Sequence, residues 1–323
     1  MHFDLSRYLF KPVFKSIILF FLVFLSSPSH SLDTAEVSAW SEDIDSYAEQ
    51  IVSLHIDPFH SISSKSFYTK LADLKKSLRT KTTEEVLVEL MRLTHSFNDG
   101  HTSFPLWKRE FHYFPFSLKI FNGNVHIVEA TKQYEYLLGA KIVSINKVST
   151  ANILERLAEI TPFSENEYSS AIRAAEYMIK AEILNGLGII SGINGASFEL
   201  NFNGQLRKLH IEASENPVLN SRLSLGETYP FNVEEKISDD VWFGSSKDKK
   251  TIYVMFRRYP SFRHMDSLGE DILSFIKYNH SKNIIIDLRD NYGGDFFVGL
   301  KLAHLLLLAD SINWKSGVYV LIN

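Results

Sequence analysis

The sequence of 323 residues contains no cysteine. A disulfide framework, a thiol nucleophile and lipid attachment through a cysteine side chain are therefore excluded. The folded chain has to be stabilised by packing alone.

The sequence also lacks an excess of charge of either sign. It has 34 basic and 38 acidic residues, a formal net charge of -4, and no long run of either sign. A nucleic-acid-binding surface requires clustered basic residues, so we expect no nucleic acid partner. Apolar residues make up 45% of the chain and aromatic residues 13%, enough to build one or two packed cores.

One continuous apolar run stands out, from Ile17 to Leu25. Basic residues precede it at positions 7, 11 and 15, and small residues follow it up to Ser31. This order predicts a secretory signal peptide at residues 1–31, cleaved after Ser31, and a periplasmic or secreted protein. The run is shorter than the roughly 20 residues of a membrane span. The alternative is an uncleaved anchor, in which case this segment is the only contact with a membrane.

The next region, residues 32–103, has the spacing of helices. Apolar residues recur at steps of three and four from Val37 to Leu54 and again from Phe67 to Leu78. Thr82 and Glu85 form a capping-box pattern ahead of a third apolar series. We predict a small helical N-terminal bundle.

Residues 104–215 change to short β-like runs. Asn122-Gly123-Asn124 separates two of these runs and predicts a hairpin. The segment from Gly139 to Lys147, followed by a helical stretch at 153–160, resembles the strand and turn of a PDZ-type peptide-binding module. Lys147 stands where such turns usually have glycine. An unrelated β insertion is the alternative interpretation of this region.

The last region, residues 216–323, alternates strands with helices. β runs are predicted at Thr251–Phe256, Asn283–Leu288 and Val318–Ile322, with helices at Met265–Tyr278 and Phe296–Ala309. This alternation predicts a parallel sheet with crossover helices and places the chain in the α/β class. Reacting groups in such sheets gather at the carboxyl ends of the strands.

Two motifs then carry a specific resemblance. The buried run from Ile284 to Leu288 continues as Arg289-Asp290-Asn291-Tyr292-Gly293-Gly294, and the segment 93–102 contains Asn98-Asp99-Gly100-His101-Thr102. Both resemble signatures of the tail-specific, or C-terminal processing, serine peptidases, in the family's order and separated by a PDZ-like insertion. The resemblance covers about residues 87–323. On its own, a Gly-Gly turn after a strand is more often structural than catalytic.

The resemblance implies a ClpP/crotonase-like spiral core, incomplete here, with the helical bundle and the PDZ-like insertion attached to it. It also implies proteolysis of extracytoplasmic proteins, with protein or peptide substrates that have extended C-terminal segments, and neither a metal nor another cofactor. Gly293 and Gly294 map to the oxyanion turn, and His101 maps to a candidate general base of the tricorn-like type. The structural alternative for His101 is a residue that joins the bundle to the sheet. Asp99 either orients His101 or caps a turn.

One expected element is absent from residues 1–323. The family's serine follows the strand that corresponds to Val318–Ile322, within a Thr-x-Ser segment, and Ser96, Ser103 and Ser316 lie in no comparable turn. We therefore expect a chain that ends before its nucleophile and is inactive as it stands. The alternatives are a non-catalytic protein that binds peptides through the PDZ-like segment, and an unstable fragment with an exposed edge strand. The other histidines show no metal-ligand spacing, and we expect no metal.

Overall fold

The computed structural model describes residues 31–162, 166–223, 230–291 and 293–322. Within these ranges the chain forms helices and two β-sheets, which confirms the predicted α/β class. The predicted signal peptide at 1–31 lies, except for Ser31, outside the described residues. No helix in the described part of the chain is both long and apolar enough to cross a membrane.

The predicted N-terminal bundle consists of three helices, α1 at Thr34–Leu54, α2 at Ser64–Ser77 and α3 at Thr83–His95. The capping box predicted at Thr82 is confirmed, since Thr82 and Glu85 exchange side-chain and backbone hydrogen bonds. A second capping box, formed by Asp33 and Glu36, begins α1. The apolar faces of the three helices share one core. Each helix thus begins where its side chains satisfy the first free amides.

The first sheet follows the bundle, and all its described strand pairs are antiparallel. Its strands run in the order β1-β2-β3-β5-β6, with β4 added to β3 and β7 added to β2. The strands are β1 Phe116–Phe121, β2 Asn124–Ala130, β3 Lys141–Ile145, β4 Val148–Ser149, β5 Gly195–Phe202, β6 Gln205–Glu212 and β7 Ser221–Arg222. The hairpin predicted at Asn122-Gly123 joins β1 to β2, as expected.

Three helices accompany this sheet: α4 at Thr150–Ala158, α5 at Glu167–Met178 and α6 at Ala181–Gly186. Residues 179–180 separate α5 from α6. α5 packs against β1, and α6 packs against α3 of the bundle. The β1 side of the sheet is covered by the chain's own helix, while the far side of β6 is exposed.

Three two-residue hairpins in this sheet have the same backbone geometry. Asn122-Gly123, Asn203-Gly204 and Asn146-Lys147 each place both central residues at positive φ. This geometry matches the right-handed twist of paired strands and favours Asn-Gly. Lys147, at φ 70°, has a Cβ that glycine lacks, and a left-handed conformation costs such a residue about 1–2 kcal/mol.

The second sheet is mixed and has the order β12-β11-β10-β9-β8. Its strands are β8 Asn232–Ser238, β9 Val241–Ser245, β10 Thr251–Phe256, β11 Asn283–Asp287 and β12 Val318–Leu321. Strands β10, β11 and β12 are parallel, as predicted, and are joined by α7 at Phe262–Asn279 and α8 at Phe296–Leu306. β8 and β9 are antiparallel additions. The carboxyl ends of β10, β11 and β12 therefore lie side by side.

The core of the first sheet centres on three phenylalanine side chains. The ring of Phe198 on β5 lies edge-on to those of Phe114 and Phe116, at centroid distances of 4.8 and 5.5 Å. All three side chains are fully buried. Edge-to-face packing adds to the free energy gained by removing these rings from water.

We expect Phe198→Ala to lower the free energy of unfolding by about 3–5 kcal/mol, because the cavity it leaves is closed on all sides. Urea unfolding followed by circular dichroism measures this loss. Phe121→Ala is the matched control, since Phe121 lies at the end of β1 and is 44% exposed. Equal losses for the two variants would contradict the central position of Phe198.

Candidate functional site

The site begins with a buried carboxylate at the end of β11. The side chain of Asp287 is fully buried and accepts hydrogen bonds from the Arg289 guanidinium and from the hydroxyl of Tyr253 on β10. Burial alone would raise the pKa of Asp287, but the hydrogen bonds from Arg289 and Tyr253 outweigh it and hold the pKa below its ordinary value. The same pair raises the pKa of Arg289. Asp287 is thus a charged anchor for the segment that follows.

Asn291 fixes the glycine turn beyond this anchor. Its Nδ2 atom donates to the carbonyl oxygen of Phe256 at 2.5 Å, and its Oδ1 atom accepts the amide of Gly293 at 2.8 Å. One amide side chain therefore ties the turn to the end of β10 and sets its curvature. The Gly293 amide, predicted as an oxyanion donor, is bonded within the turn in this conformation.

Both glycines are required by the geometry. Gly293 has φ 88°, a conformation that strains other residues. A Cβ on Gly294 would lie 2.5 Å from the ring of Tyr259. Within the described residues, the Gly294 amide has no hydrogen-bond acceptor, and it immediately precedes Asp295, the N-cap of α8. Gly294 is therefore the glycine whose amide is available to an incoming oxygen.

The predicted general base lies on a separate loop, after α3. The side chain of His101 is fully exposed, with Nδ1 4.0 Å from Asp99 Oδ1. Asp99 accepts hydrogen bonds from the Thr102 hydroxyl and from the His101 amide, which together hold its pKa below the ordinary value. Asp99 thus caps the turn, which is one of its two predicted roles. The full exposure of His101 means that its ring does not touch the glycine turn.

The two motif segments are both attached to the β1–α5 unit. Arg173 of α5 donates to the carbonyl oxygen of Gly100 at 3.3 Å. Lys119 of β1 lies 2.7 Å from Asp290, which has φ 61° at the start of the glycine turn. The ion pair joins residues 171 positions apart in the chain. It brings the second motif to the same unit as the first.

Several of these residues could not be identified from the sequence. Lys119, Tyr259 and Arg173 lie outside both motifs, and no local pattern marks them. Asn291 was part of the quoted motif but had no assigned role. His55 is another such residue. It lies directly after α1, and its Nε2 atom is 3.4 Å from Asp99 Oδ2.

Among the described residues, no serine follows β12, where the resemblance places the nucleophile. The hydroxyl of Ser96 donates to the carbonyl oxygen of Leu93 at 2.6 Å, and Ser316 lies at the amino end of β12. Within the described ranges, no group of three or more histidine, aspartate or glutamate side chains is arranged to hold a metal ion. The catalytic roles of His101, Gly293 and Gly294, and the absence of a metal or cofactor, remain predictions.

The anchor at Asp287 gives a testable pH dependence. We expect Asp287→Asn to lower the free energy of unfolding by about 3 kcal/mol at neutral pH, because it removes the buried charge that the Arg289 guanidinium and the buried Tyr253 hydroxyl are arranged to match. Since the folded state lowers the pKa of Asp287, its contribution is present above the ordinary carboxyl pKa of about 3.9 and is lost as pH falls through the lower folded value.

Urea unfolding of the unmodified protein and of Asp287→Asn between pH 7 and pH 2 tests this dependence. The difference between their free energies of unfolding should shrink as the pH falls. The matched control is Asp239→Asn, since Asp239 is exposed and pairs with Lys236 on the surface. A difference that stays constant down to pH 2 would show that the Asp287 charge contributes nothing.

Comparison with known proteins gives little further support. No family model matches this chain, and no curated protein matches it. Among solved structures, it is similar to the crystal structure of a "Putative S41 protease" from Bacteroides fragilis NCTC 9343, with 13% identity and a TM-score of 0.20. The match covers 67% of this chain and 57% of that one. A TM-score of 0.20 establishes no common fold, so the peptidase assignment depends on the two sequence motifs and the geometry around them.

Proposed function

We propose that the chain carries the core of a serine peptidase of the tail-specific type, acting on extended segments of proteins outside the cytoplasm. The observation that carries the proposal is the Asn291-fixed glycine turn at the carboxyl end of β11, beside the parallel strand β12. The parallel strands with crossover helices α7 and α8 are compatible with a spiral core. The strand-turn-helix of β3, β4 and α4 is compatible with a PDZ-like insertion.

The chemistry that this turn can supply is stabilisation of a developing oxyanion. The amide of Gly294, which has no acceptor within the described residues, lies next to the N-terminus of α8, where the helix dipole favours negative charge. Tyr259 packs under Gly294 and Asn291 fixes Gly293, so the amide is held in place before a substrate arrives. Preorganised donors of this kind lower the barrier for attack on a peptide carbonyl.

The nucleophile in this proposal is a serine in a Thr-x-Ser segment after β12, close to the glycine turn. A serine hydroxyl is a weak nucleophile at neutral pH and requires a base. His101 is the candidate in this chain, and its ring is exposed. It would accept the serine proton during attack and return it to the leaving amine. A lysine downstream of the serine is the alternative base.

The proposal is tested first on the coding sequence after codon 323, in all frames. We expect a Thr-x-Ser continuation, and the polypeptide that includes it should hydrolyse unfolded casein, whereas residues 32–323 alone should not. Serine→Ala in that segment should abolish hydrolysis. Unrelated sequence after codon 323, or casein hydrolysis that survives the serine substitution, would contradict the proposal.

The role of His101 is tested separately in the active polypeptide. His101→Ala should reduce kcat by about 10²–10⁴-fold, the usual contribution of a general base. His210→Ala is the matched control, because His210 is an exposed histidine on β6. Full activity in His101→Ala, with the serine variant inactive, would assign the base to another residue and leave the peptidase proposal intact.

A second candidate function is peptide binding without catalysis, and one observation favours it. The strand edge at β6 is exposed, and within the described residues it has no neighbour beyond β5, whereas α5 covers β1. An extended peptide could add to β6 through main-chain hydrogen bonds. Such a protein would need no nucleophile.

Peptide addition is tested by fluorescence anisotropy with a labelled extended peptide and the same peptide N-methylated at alternate residues. We expect binding of the unmodified peptide and loss of at least about tenfold in affinity for the methylated one, because methylation removes main-chain donors. Equal affinities would rule out strand addition.

A further inference from the structure

The end of α1 reverses the usual order of burial. Leu54 is 80% exposed and Ile56 is fully exposed, whereas the side chain of His55 between them is only 11% exposed. The hydrophobic effect favours the opposite arrangement, because an aliphatic side chain gains more than an imidazole by leaving water. Polar contacts and ring packing therefore hold the His55 side chain inside.

The contacts of its two ring nitrogens fix the position of the proton on His55. Nδ1 accepts the backbone amide of Asp57 at 3.0 Å, so the neutral ring has its hydrogen on Nε2. Nε2 is buried, has no hydrogen-bond partner within the described residues, and lies 3.4 Å from Oδ2 of Asp99. The ring contacts His60, stacked at a centroid distance of 5.5 Å, and Phe97 at 5.9 Å. His55 thus places a buried polar nitrogen beside the carboxylate that caps the motif turn.

Asp99 is shared by two histidines. Its Oδ2 atom faces His55, and its Oδ1 atom lies 4.0 Å from Nδ1 of His101. These two rings are the ion-pair partners of Asp99 in the described part of the chain. Since the carboxylate has a single negative charge, attraction to one protonated ring reduces the stabilisation available to the other.

Other polar groups reach the same place from two elements. In the turn after α1, Nδ1 of His60 lies 2.7 Å from the carbonyl oxygen of Asp57. From α5, the Arg173 guanidinium donates to the carbonyl oxygen of Gly100. Neither His60 nor Arg173 is paired with the carboxylate of Asp99 within the described ranges. His55 is therefore the residue of the bundle that acts on Asp99.

The two charge states of His55 require different partners. The neutral ring accepts the Asp57 amide, but a proton on Nδ1 would place two N–H groups against each other and break that bond. The charged ring gains attraction to Asp99 instead. Histidine side chains ordinarily change charge between pH 5 and pH 8. Acidification in this range therefore exchanges the Asp57 hydrogen bond for the ion pair with Asp99.

We propose that His55 is a positioning residue of the candidate site, which holds the Asp99–His101 loop at the end of α1 and shifts it when the ring is protonated. This role depends on the proposed function, in which His101 is the candidate base. While His55 is neutral, the Asp99 charge is available to stabilise the imidazolium that a general base forms. Once His55 is charged, it draws the carboxylate towards itself, and the site is less active at acid pH.

The loop position is tested without catalysis, on residues 32–323, by the amide chemical shifts of Asp57 and Asp99 in two-dimensional NMR spectra from pH 8 to pH 5. We expect both amides to shift together as the pH falls, because one protonation breaks the Asp57 bond and attracts the Asp99 carboxylate. In His55→Gln, the side-chain amide still donates towards Asp99 but does not titrate. Both shifts should then change much less with pH.

His55→Phe separates positioning from packing. It keeps a ring beside His60 and Phe97 but removes both nitrogens, so the amides of Asp99 and His101 should move already at pH 8, whereas His55→Gln should leave them in place. His60→Gln is the matched control, because His60 stacks on the same ring without contacting Asp99 within the described residues. It should keep the pH dependence of the unmodified protein.

The catalytic consequence is measured in the active polypeptide that contains the serine. His55→Phe should lower kcat about tenfold or more at pH 8 with KM unchanged, because a misplaced base slows the chemical step and not binding. Below neutral pH, kcat should fall more steeply in the unmodified protein than in His55→Gln. The unmodified site binds protons at both His55 and His101, and the variant binds one at His101 alone.

Two results would overturn the proposal. One is the same pH dependence of the Asp57 and Asp99 amides in the unmodified protein and in His55→Gln. The other is a His55→Phe variant whose Asp99 and His101 amides do not move, since the ring would then act by packing alone. A serine-containing polypeptide without casein hydrolysis would instead contradict the peptidase proposal, and the NMR spectra would still decide whether His55 positions the loop.

Discussion

The buried charge of Asp287 is the interaction on which the candidate site depends. A carboxylate taken out of water at the end of a strand requires partners, and Arg289 and Tyr253 supply them from the following turn and the neighbouring strand. These bonds fix the direction in which the chain leaves β11. The positions of Asn291, Gly293 and α8 then follow from that direction. Together with the Asn291 hydrogen bonds to Phe256 and Gly293, this ion pair holds Gly294 against Tyr259.

Much of the fold followed from the sequence because its signals are local. The helices α1–α3, the hairpin at Asn122-Gly123 and the strands β10, β11 and β12 each depend on apolar spacing, caps or turn residues within a few positions. The break between α5 and α6, at residues 179–180, is marked by no glycine or proline in the sequence. The predicted parallel order of β10, β11 and β12 required only the alternation of strands with helices.

The site was less predictable because its contacts are not local. The motifs identified Gly293, Gly294 and His101, but the residues that hold them in place, Lys119, Tyr259 and Arg173, occur far along the chain and in no pattern. The sequence also does not show which backbone amide is hydrogen-bonded. Gly293 and Gly294 are adjacent, yet of the two only the Gly293 amide donates a hydrogen bond within the turn. The strained Lys147 was visible as an exception to a turn rule.

The ion pair between Lys119 and Asp290 has a consequence for the order of folding. It closes a loop of 171 residues, whereas the hairpins and the bundle helices close loops of a few residues. Loop closure costs more entropy as the loop lengthens, so contacts of low sequence separation form first. The first sheet and the β10–β12 unit therefore acquire their structure before this pair can form. The glycine turn reaches its final position late, so a partly folded chain has both sheets before it has the site.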